Sequence, residues 1–532
     1  MKSQRSNQTG PELARTIDGI LETVQAGGYA IERAMKELLA ALGEALQCES
    51  VFIKIIHPLL QPCVYSCGGS TTGFSVEIAE LVNPEDYPVF KKKGKTLIAG
   101  PVQVGTECYG FAGFIAAVSN AEELEAQKAD LAVFIEQVDN YFASVVLAAR
   151  KQTLLLEVQA ALNHPVLREG IKCAVEYLAA HTGVSRMFIY YWQEDPLNRK
   201  TLNYYYYRDH RFIDATEAAP PEILKAAAYL NAGGPAGCSH EKLSRKLGIT
   251  APAVFSLGTA LSADRDETGW IIADSPTDAL SADQLDCLDA FASSLRMRII
   301  DFGKEHRLLS QHFSSQTAMR MLNMTNYHLL LEPQEREVAI LYCDISGFSA
   351  LCEQILKTPR LIGDLISEWS ARVVQMVWDH GGVFDKMVGD CVIAMFGPPF
   401  YDTSAEESCS KAIRCAEAIR QVTRELGKKE PFCSLIKPSG FRGLGVASGI
   451  NFTAVFIGRF GPNQSFTAFS RGMNETARLQ DLAEYQQIFV TESVRNLVKK
   501  PEFGFRFSSM RSEPVKNLSE PLRFYELKAA KE

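Results

Sequence analysis

Apolar positions along the chain fall into three successive blocks. Between residues 12 and 150, Ile20, Leu21, Val24, Ile31, Met35, Leu38, Leu39 and Leu42 recur at helical spacing and predict a helical opening. Ser50–Ile56 then reads as a strand and Gly110–Val118 as a core strand, and Leu131, Phe134, Val138 and Phe142 line one stripe of a closing helix. The block 151–300 repeats that order: a helix carrying Ile171, Val175 and Leu178, a strand Ser185–Trp192, a strand Thr268–Asp274, and a closing helix. Ser281, followed three residues later by Gln284, marks the start of that last helix as a capping box. Corresponding elements lie about 130–150 residues apart, which suggests tandem duplication. The run Tyr204–Tyr207 reads as strand core and surface.

From Leu288 to Phe313 the residues Phe291, Leu295, Ile299, Phe302, Leu309 and Phe313 form a near-heptad seam interrupted by His306. The seam outruns an average helix of about 11–12 residues. Residues 288–332 are therefore expected to form a helical dimerisation and transducer linker, the alternative being the amphipathic last helix of the second block. Residues 333–532 mix periods. They predict a strand Val338–Cys343, a helix Leu361–Trp378, a hairpin Val383–Phe396, a helix Ala405–Leu426, strands Gly443–Gly449 and Thr453–Phe460, a helix near Met473–Leu482, and strands Ile488–Val490 and Arg523–Leu527. The whole reads as an α+β multidomain chain whose last block is a mixed sheet with helices on one side.

Composition narrows the function. At about 100–200 residues per domain, 532 residues suit three domains. A net charge of −8 gives no global basic footprint for nucleic acid. No run of 18 or more apolar residues occurs, so no membrane span is expected. The first ten residues lack an apolar core, so no signal peptide is expected. Thirteen scattered cysteines without a paired C-x-x-C suggest reduced thiols and a cytoplasmic chain.

Two acids stand out. Asp344 ends the apolar run Val338–Cys343, and Asp390 sits in Lys386-Met-Val-Gly-Asp390 between the arms of the predicted hairpin. Either alone could cap a turn or helix. Together, at exposed ends of buried strands, they are a common way to hold Mg²⁺ against a nucleoside triphosphate. The turn Ser346-Gly347-Phe348 could offer backbone N–H groups to phosphates. Asn474 and Arg478 lie four apart, on one face of a helix.

The stretches Leu341–Ser349, His380–Asp390, Gly445–Gly449 and Met473–Leu479 resemble the catalytic domain of class III nucleotidyl cyclases, across roughly the last 200 residues. The resemblance implies a ferredoxin-like domain over 333–532, and two Mg²⁺ or Mn²⁺ ions per site held by Asp344, Asp390 and the Ile345 carbonyl. It further implies that Asn474 orients the ribose, that Arg478 stabilises charge on the α-phosphorus, and that Lys516 reaches the triphosphate. Lys386 and Thr467 would read the base, and this pair is like that of the adenylyl subgroup. Metal aspartates would come from one protomer and the other groups from its partner, so a homodimer acting on ATP to give 3′,5′-cyclic AMP is expected. A guanylyl cyclase and a catalytically silent sensory scaffold are the alternatives. Thr476 and Arg471 stand where the family has a small residue and a glycine. Pro462 and Asn463 stand near a family arginine, for which Arg459 is the candidate substitute. Residues 12–150 and 151–300 resemble GAF sensor domains, which implies an unidentified small-molecule ligand.

Overall fold

A computed structural model describes residues 10–27, 31–69, 71–82, 87–117, 121–194, 200–215, 217–234, 238–249, 252–257, 269–274, 280–515 and 521–528. The chain divides into two compact units, residues 1–157 and 158–532.

In the first unit, helices Gly10–Gly27 and Ile31–Leu46 precede a sheet of β1 (Ser50–Ile55), β2 (Cys63–Gly68), β3 (Val89–Lys92), β4 (Lys95–Val104) and β5 (Glu107–Ala116), ordered β2-β1-β5-β4-β3. Met35, Leu38, Leu39 and Leu42 share one buried cluster with Ile53, Phe114 and the stripe Leu131, Phe134, Val138 and Phe142. That stripe belongs to a helix, Ala121–Leu162, that by length and composition could cross a membrane. The expectation of no span rested on uninterrupted apolar runs, a stricter test than a window tolerating a few charges.

The second unit opens with helix Leu167–Thr182 and a sheet of β6 (Arg186–Glu194), β7 (Lys200–Arg208), β8 (Arg211–Asp214), β9 (Ala253–Ser256) and β10 (Gly269–Asp274), ordered β8-β7-β6-β10-β9. In both five-stranded sheets the first strand lies between the second and the last. Tyr204–Tyr207 are all buried. The capping box forms with both arms, Gln284 N–H to Ser281 Oγ at 3.3 Å and Ser281 N–H to Gln284 Oε1 at 2.7 Å, and starts the helix Ala282–Leu309.

The seam on that helix is closed within the chain. Phe291, Leu295, Ile299, Phe302, Leu309 and Phe313 are each at most 5% exposed, with Leu167–Thr182 packed alongside. The seam expected to face a second copy is therefore covered within the chain, while Leu285, Met297 and Leu308 of the same helix are exposed. The interrupting His306 is buried too, its Nε2 lying 3.4 Å from Ser310 Oγ and 3.2 Å from Ser315 Oγ. Just beyond, Phe313 meets Phe400 and Phe466 in an aromatic triad.

The third sheet comprises β11 (Gln334–Ile345), β12 (Val383–Val388), β13 (Cys391–Phe396), β14 (Val446–Phe460), β15 (Ser465–Phe469), β16 (Ile488–Thr491), β17 (Arg506–Phe507), β18 (Arg511–Glu513) and β19 (Leu522–Lys528). Its order is β12-β13-β11-β14-β16-β19-β17, with β15 on β14 and β18 on β19. Among the described residues only β14 and β16 pair in parallel, so the sheet is mixed as expected. β14 is one continuous strand rather than two. Asn451, which reads as a break, is buried and satisfied: its amide donates to Gly472 O at 3.2 Å and its carbonyl accepts from Thr491 Oγ1 at 2.9 Å.

Thr358 caps the helix Pro359–Asp379, with proline at the first turn. Its Leu365, Trp369, Val373 and Val377 share one core with helix Ala405–Leu426. Helix Arg471–Asp481 lies on the opposite face. Ile488 and Val490 belong to the large core, while Phe489 between them joins Leu479 of that helix. Helices thus cover both faces rather than one. At the centre of the large core the Trp369 indole donates to Thr423 Oγ1 at 2.9 Å, both groups fully buried. Thr423→Val keeps the volume and orphans that N–H. It should lower unfolding stability by about 1–3 kcal/mol in a denaturant titration.

Candidate active site

Sheet register brings the two acids together. Cys343 pairs with Val392 across β11 and β13, so Asp344, one step on, comes level with Cys391. β12 and β13 close at Val388 and Cys391 through a two-residue turn, Gly389-Asp390. Gly389 takes φ +64°, which explains a glycine at the first turn position. The Asp344 carboxyl, half-buried, is pushed up to about 7, first by burial and then by Asp390 within hydrogen-bonding reach. Asp390 Oδ2 is buried without a hydrogen-bond partner. Two acids forced together with an orphaned oxygen form a donor set that suits a hard divalent cation.

Ile345 pairs with Val446 at the very end of β11, which sets its carbonyl at the same edge. Gly347 turns the chain with φ +71°, and Phe348–Ala350 begins a helical turn. The Ser346 N–H already donates to Gly445 O at 2.9 Å, so the phosphate-facing role expected of that amide falls to Gly347 and Phe348. The Ser346 hydroxyl is buried without a partner and remains available.

The expected base-reading pair is also brought together. Lys386 Nζ donates to Thr467 Oγ1 at 2.7 Å across β12 and β15, and lies 5.7 Å from the Phe469 ring centroid. β15 is absent from the elements read in the sequence, since only counting from Asn474 located Thr467. Lys386 also lies 3.6 Å from Asp385 Oδ2. Asp385 was not singled out from the sequence, although an acid inside an apolar strand was a signal.

Asn474 is exposed and Arg478 half-exposed on helix Arg471–Asp481. Ser470 caps the helix by accepting from Met473 N–H at 3.0 Å. The helix seats against β14 because two glycines leave room. A Cβ on Gly449 would lie 2.7 Å from Gln480 N, and one on Gly472 would lie 2.3 Å from Thr453 Cγ2. The family departure at Thr476 is absorbed inside the helix, its hydroxyl bonding to Gly472 O at 2.6 Å. Arg478 pairs with Asp481 at 3.0 Å, an acid that sequence reading missed and that also bears on Asp344. Arg459 lies near His312 and Tyr327. Lys516 lies outside the described residues.

Residues 331–529 match the family model described as Adenylate and Guanylate cyclase catalytic domain. An adenylate cyclase of Anabaena cylindrica is 27% identical over 199 residues, which is 36% of this chain and 37% of that protein. A terminal-differentiation-specific adenylate cyclase of Dictyostelium discoideum is 28% identical over 198 residues, 36% of this chain and 9% of that one. The chain thus spans well under two thirds of the length of these curated relatives. An adenylyl cyclase structure from P. aeruginosa is 23% identical, covering 38% of this chain and 98% of that one, with a TM-score of 0.33. A guanylyl cyclase structure is 20% identical, covering 38% and 95%, also with a TM-score of 0.33. The class III adenylate/guanylate cyclase catalytic domain expected of the last block is supported over residues 331–529.

The site is tied to the helix before it by His312. Phe384 N–H donates to His312 O at 2.9 Å, and His312 Nδ1 lies 2.9 Å from Phe384 O. Burial pulls the His312 pKa below the ordinary histidine value. The unfolded chain therefore takes a proton that the folded one resists, so this group's stabilisation is present above about pH 6.5 and lost as pH falls below it. Urea midpoints should drop between pH 7.5 and pH 5.5 more in the native chain than in His312→Asn.

Proposed function

We propose that this protein is an adenylyl cyclase that converts ATP to 3′,5′-cyclic AMP and pyrophosphate at a site shared by two copies of the chain. The observation that carries this is the Asp344–Asp390 pair at one sheet end, with Asp390 in the turn of the same β12–β13 hairpin that carries Lys386 of the Lys386–Thr467 pair. Asp344, Asp390 and the Ile345 carbonyl would hold two Mg²⁺ or Mn²⁺ ions. When bound, such ions lower the pKa of the ribose 3′-hydroxyl and neutralise phosphate charge. The proton held high on Asp344 must leave as a cation binds, so metal affinity rises with pH. Lys386 donates to the adenine N1, and Thr467 accepts from its 6-amino group. Asn474 orients the ribose, and Arg478, released from Asp481, presents its planar fork to the α-phosphate. The Ser346 hydroxyl and the amides of Gly347 and Phe348 hold the triphosphate, and Lys516 matches the family lysine that reaches it.

The shared site has physical support in a patch of aromatic rings left in water beside Lys386. Phe456 is 47% exposed and Phe469 55%, and both contact the Phe460 ring. Apolar patches of this kind mark association surfaces. Residues 12–150 and 151–300, as GAF-like sensors for a small molecule, would bias the helix Ala282–Leu309 and through it the two catalytic copies.

Purified protein given Mg²⁺ or Mn²⁺ with each nucleoside triphosphate should release cyclic AMP from ATP. Cyclic GMP as the dominant product would overturn the choice of purine, and no cyclic product from any triphosphate would favour the silent scaffold. Asp344→Ala and Arg478→Ala should each reduce activity at least about 100-fold. Mixed together, they should recover part of it, because one intact site forms per heterodimer. A mixture that stays inactive while both chains fold would rule out the shared site.

A further inference from the structure

Beneath the Lys386–Thr467 pair lies a buried acid that the proposed reaction does not use. Asp385 is the extra residue of a β-bulge: Phe384 pairs with Ala394 and Lys386 with Ile393, leaving Asp385 unmatched. Asp385 faces inward beside Val383 and is 2% exposed, while the Lys386 side chain stays 41% exposed at the edge. His312 pins the bulge through its two bonds to Phe384. Neither Asp385 oxygen completes a hydrogen bond of good geometry, yet the Thr467 hydroxyl and the Lys386 ammonium are close enough to favour its charged form, the ammonium 3.6 Å from one oxygen. A buried carboxylate left in that state is costly unless it orders the polar groups beside it.

Those groups are the two that meet the purine. Lys386 donates to the Thr467 oxygen at 2.7 Å. A hydroxyl that accepts from an ammonium sends its own hydrogen elsewhere, and Asp385 is the acid bearing on both groups. We propose that Asp385 sets purine choice as a positioning residue: it holds the Lys386 ammonium and draws the Thr467 hydrogen inward, so the pair meets the base with one donor and one acceptor. This rests on the reading of the site as a cyclase acting on a purine triphosphate. Adenine offers an acceptor at N1 beside a donor amine at position 6, whereas guanine reverses both. An amide at position 385 donates to Thr467 and turns its hydrogen outward, so the acceptor that adenine needs is lost.

The test compares the full-length chain with Asp385→Asn. Binding of non-cyclisable ATP and GTP analogues lacking the 3′-hydroxyl is measured by displacement of a fluorescent nucleotide, and kcat/KM is measured for both triphosphates. The ATP-to-GTP ratio should fall about tenfold on both readouts. Thr467→Val should lower it similarly, and adding Asp385→Asn to Thr467→Val should change it no further. A ratio unchanged in Asp385→Asn overturns the inference and leaves the cyclase reading intact. Equal loss for both nucleotides reports a structural role only and also overturns it. A native chain that binds both analogues alike sinks the adenylyl reading itself, and this inference with it. Should Asp385→Asn not fold, Asp385→Ser with the same ratio decides the matter.

Discussion

The site depends on two carboxyl groups held against each other at the end of a sheet. Like charges at that separation repel, and burial deepens the penalty, which is why Asp344 holds its proton far above the ordinary aspartate range. The rest of the sheet works against that repulsion. β11 is anchored along twelve registered positions to β14, from Gln334↔Ile457 to Ile345↔Val446, and the Gly389-Asp390 turn allows almost no slack. A divalent cation, as proposed, would offset the repulsion of both acids at once.

Much of this was legible in the sequence, for identifiable reasons. Helices with a single wide apolar stripe were read correctly, as Leu365, Trp369, Val373 and Val377 illustrate. The capping box at Ser281 was legible because both its bonds are local. The carboxylate pair was legible because the turn glycines stand at fixed offsets from it. Long-range satisfaction was not legible. Asn451 reads as a break until Gly472 and Thr491 supply its partners. β15 is five residues long and owes its existence to pairing with β14.

The heptad seam is the instructive error. Spacing alone cannot distinguish a stripe that awaits another chain from one that its own domain already covers. Here Phe291, Leu295 and Ile299 find their partners within the chain. Two aromatic rings left in water lie on the β14–β15 hairpin, at Phe456 and Phe469, where strand alternation gives no hint of them. Asp385 was overlooked although alternation from Val383 already sends it inward; what the sequence hid was the bulge that leaves it without a cross-strand partner.

His312 carries a mechanical consequence. Its carbonyl also receives the Trp378 indole at 3.1 Å, so two bonds stitch this residue to the edge strand β12 and a third ties it to helix Pro359–Asp379. A tug of one bond length along Ala282–Leu309 must either rip those stitches or drag the kink at position 385 with it. On the proposed reading of the site, a pull passed along that helix would register in the grip on the purine ring.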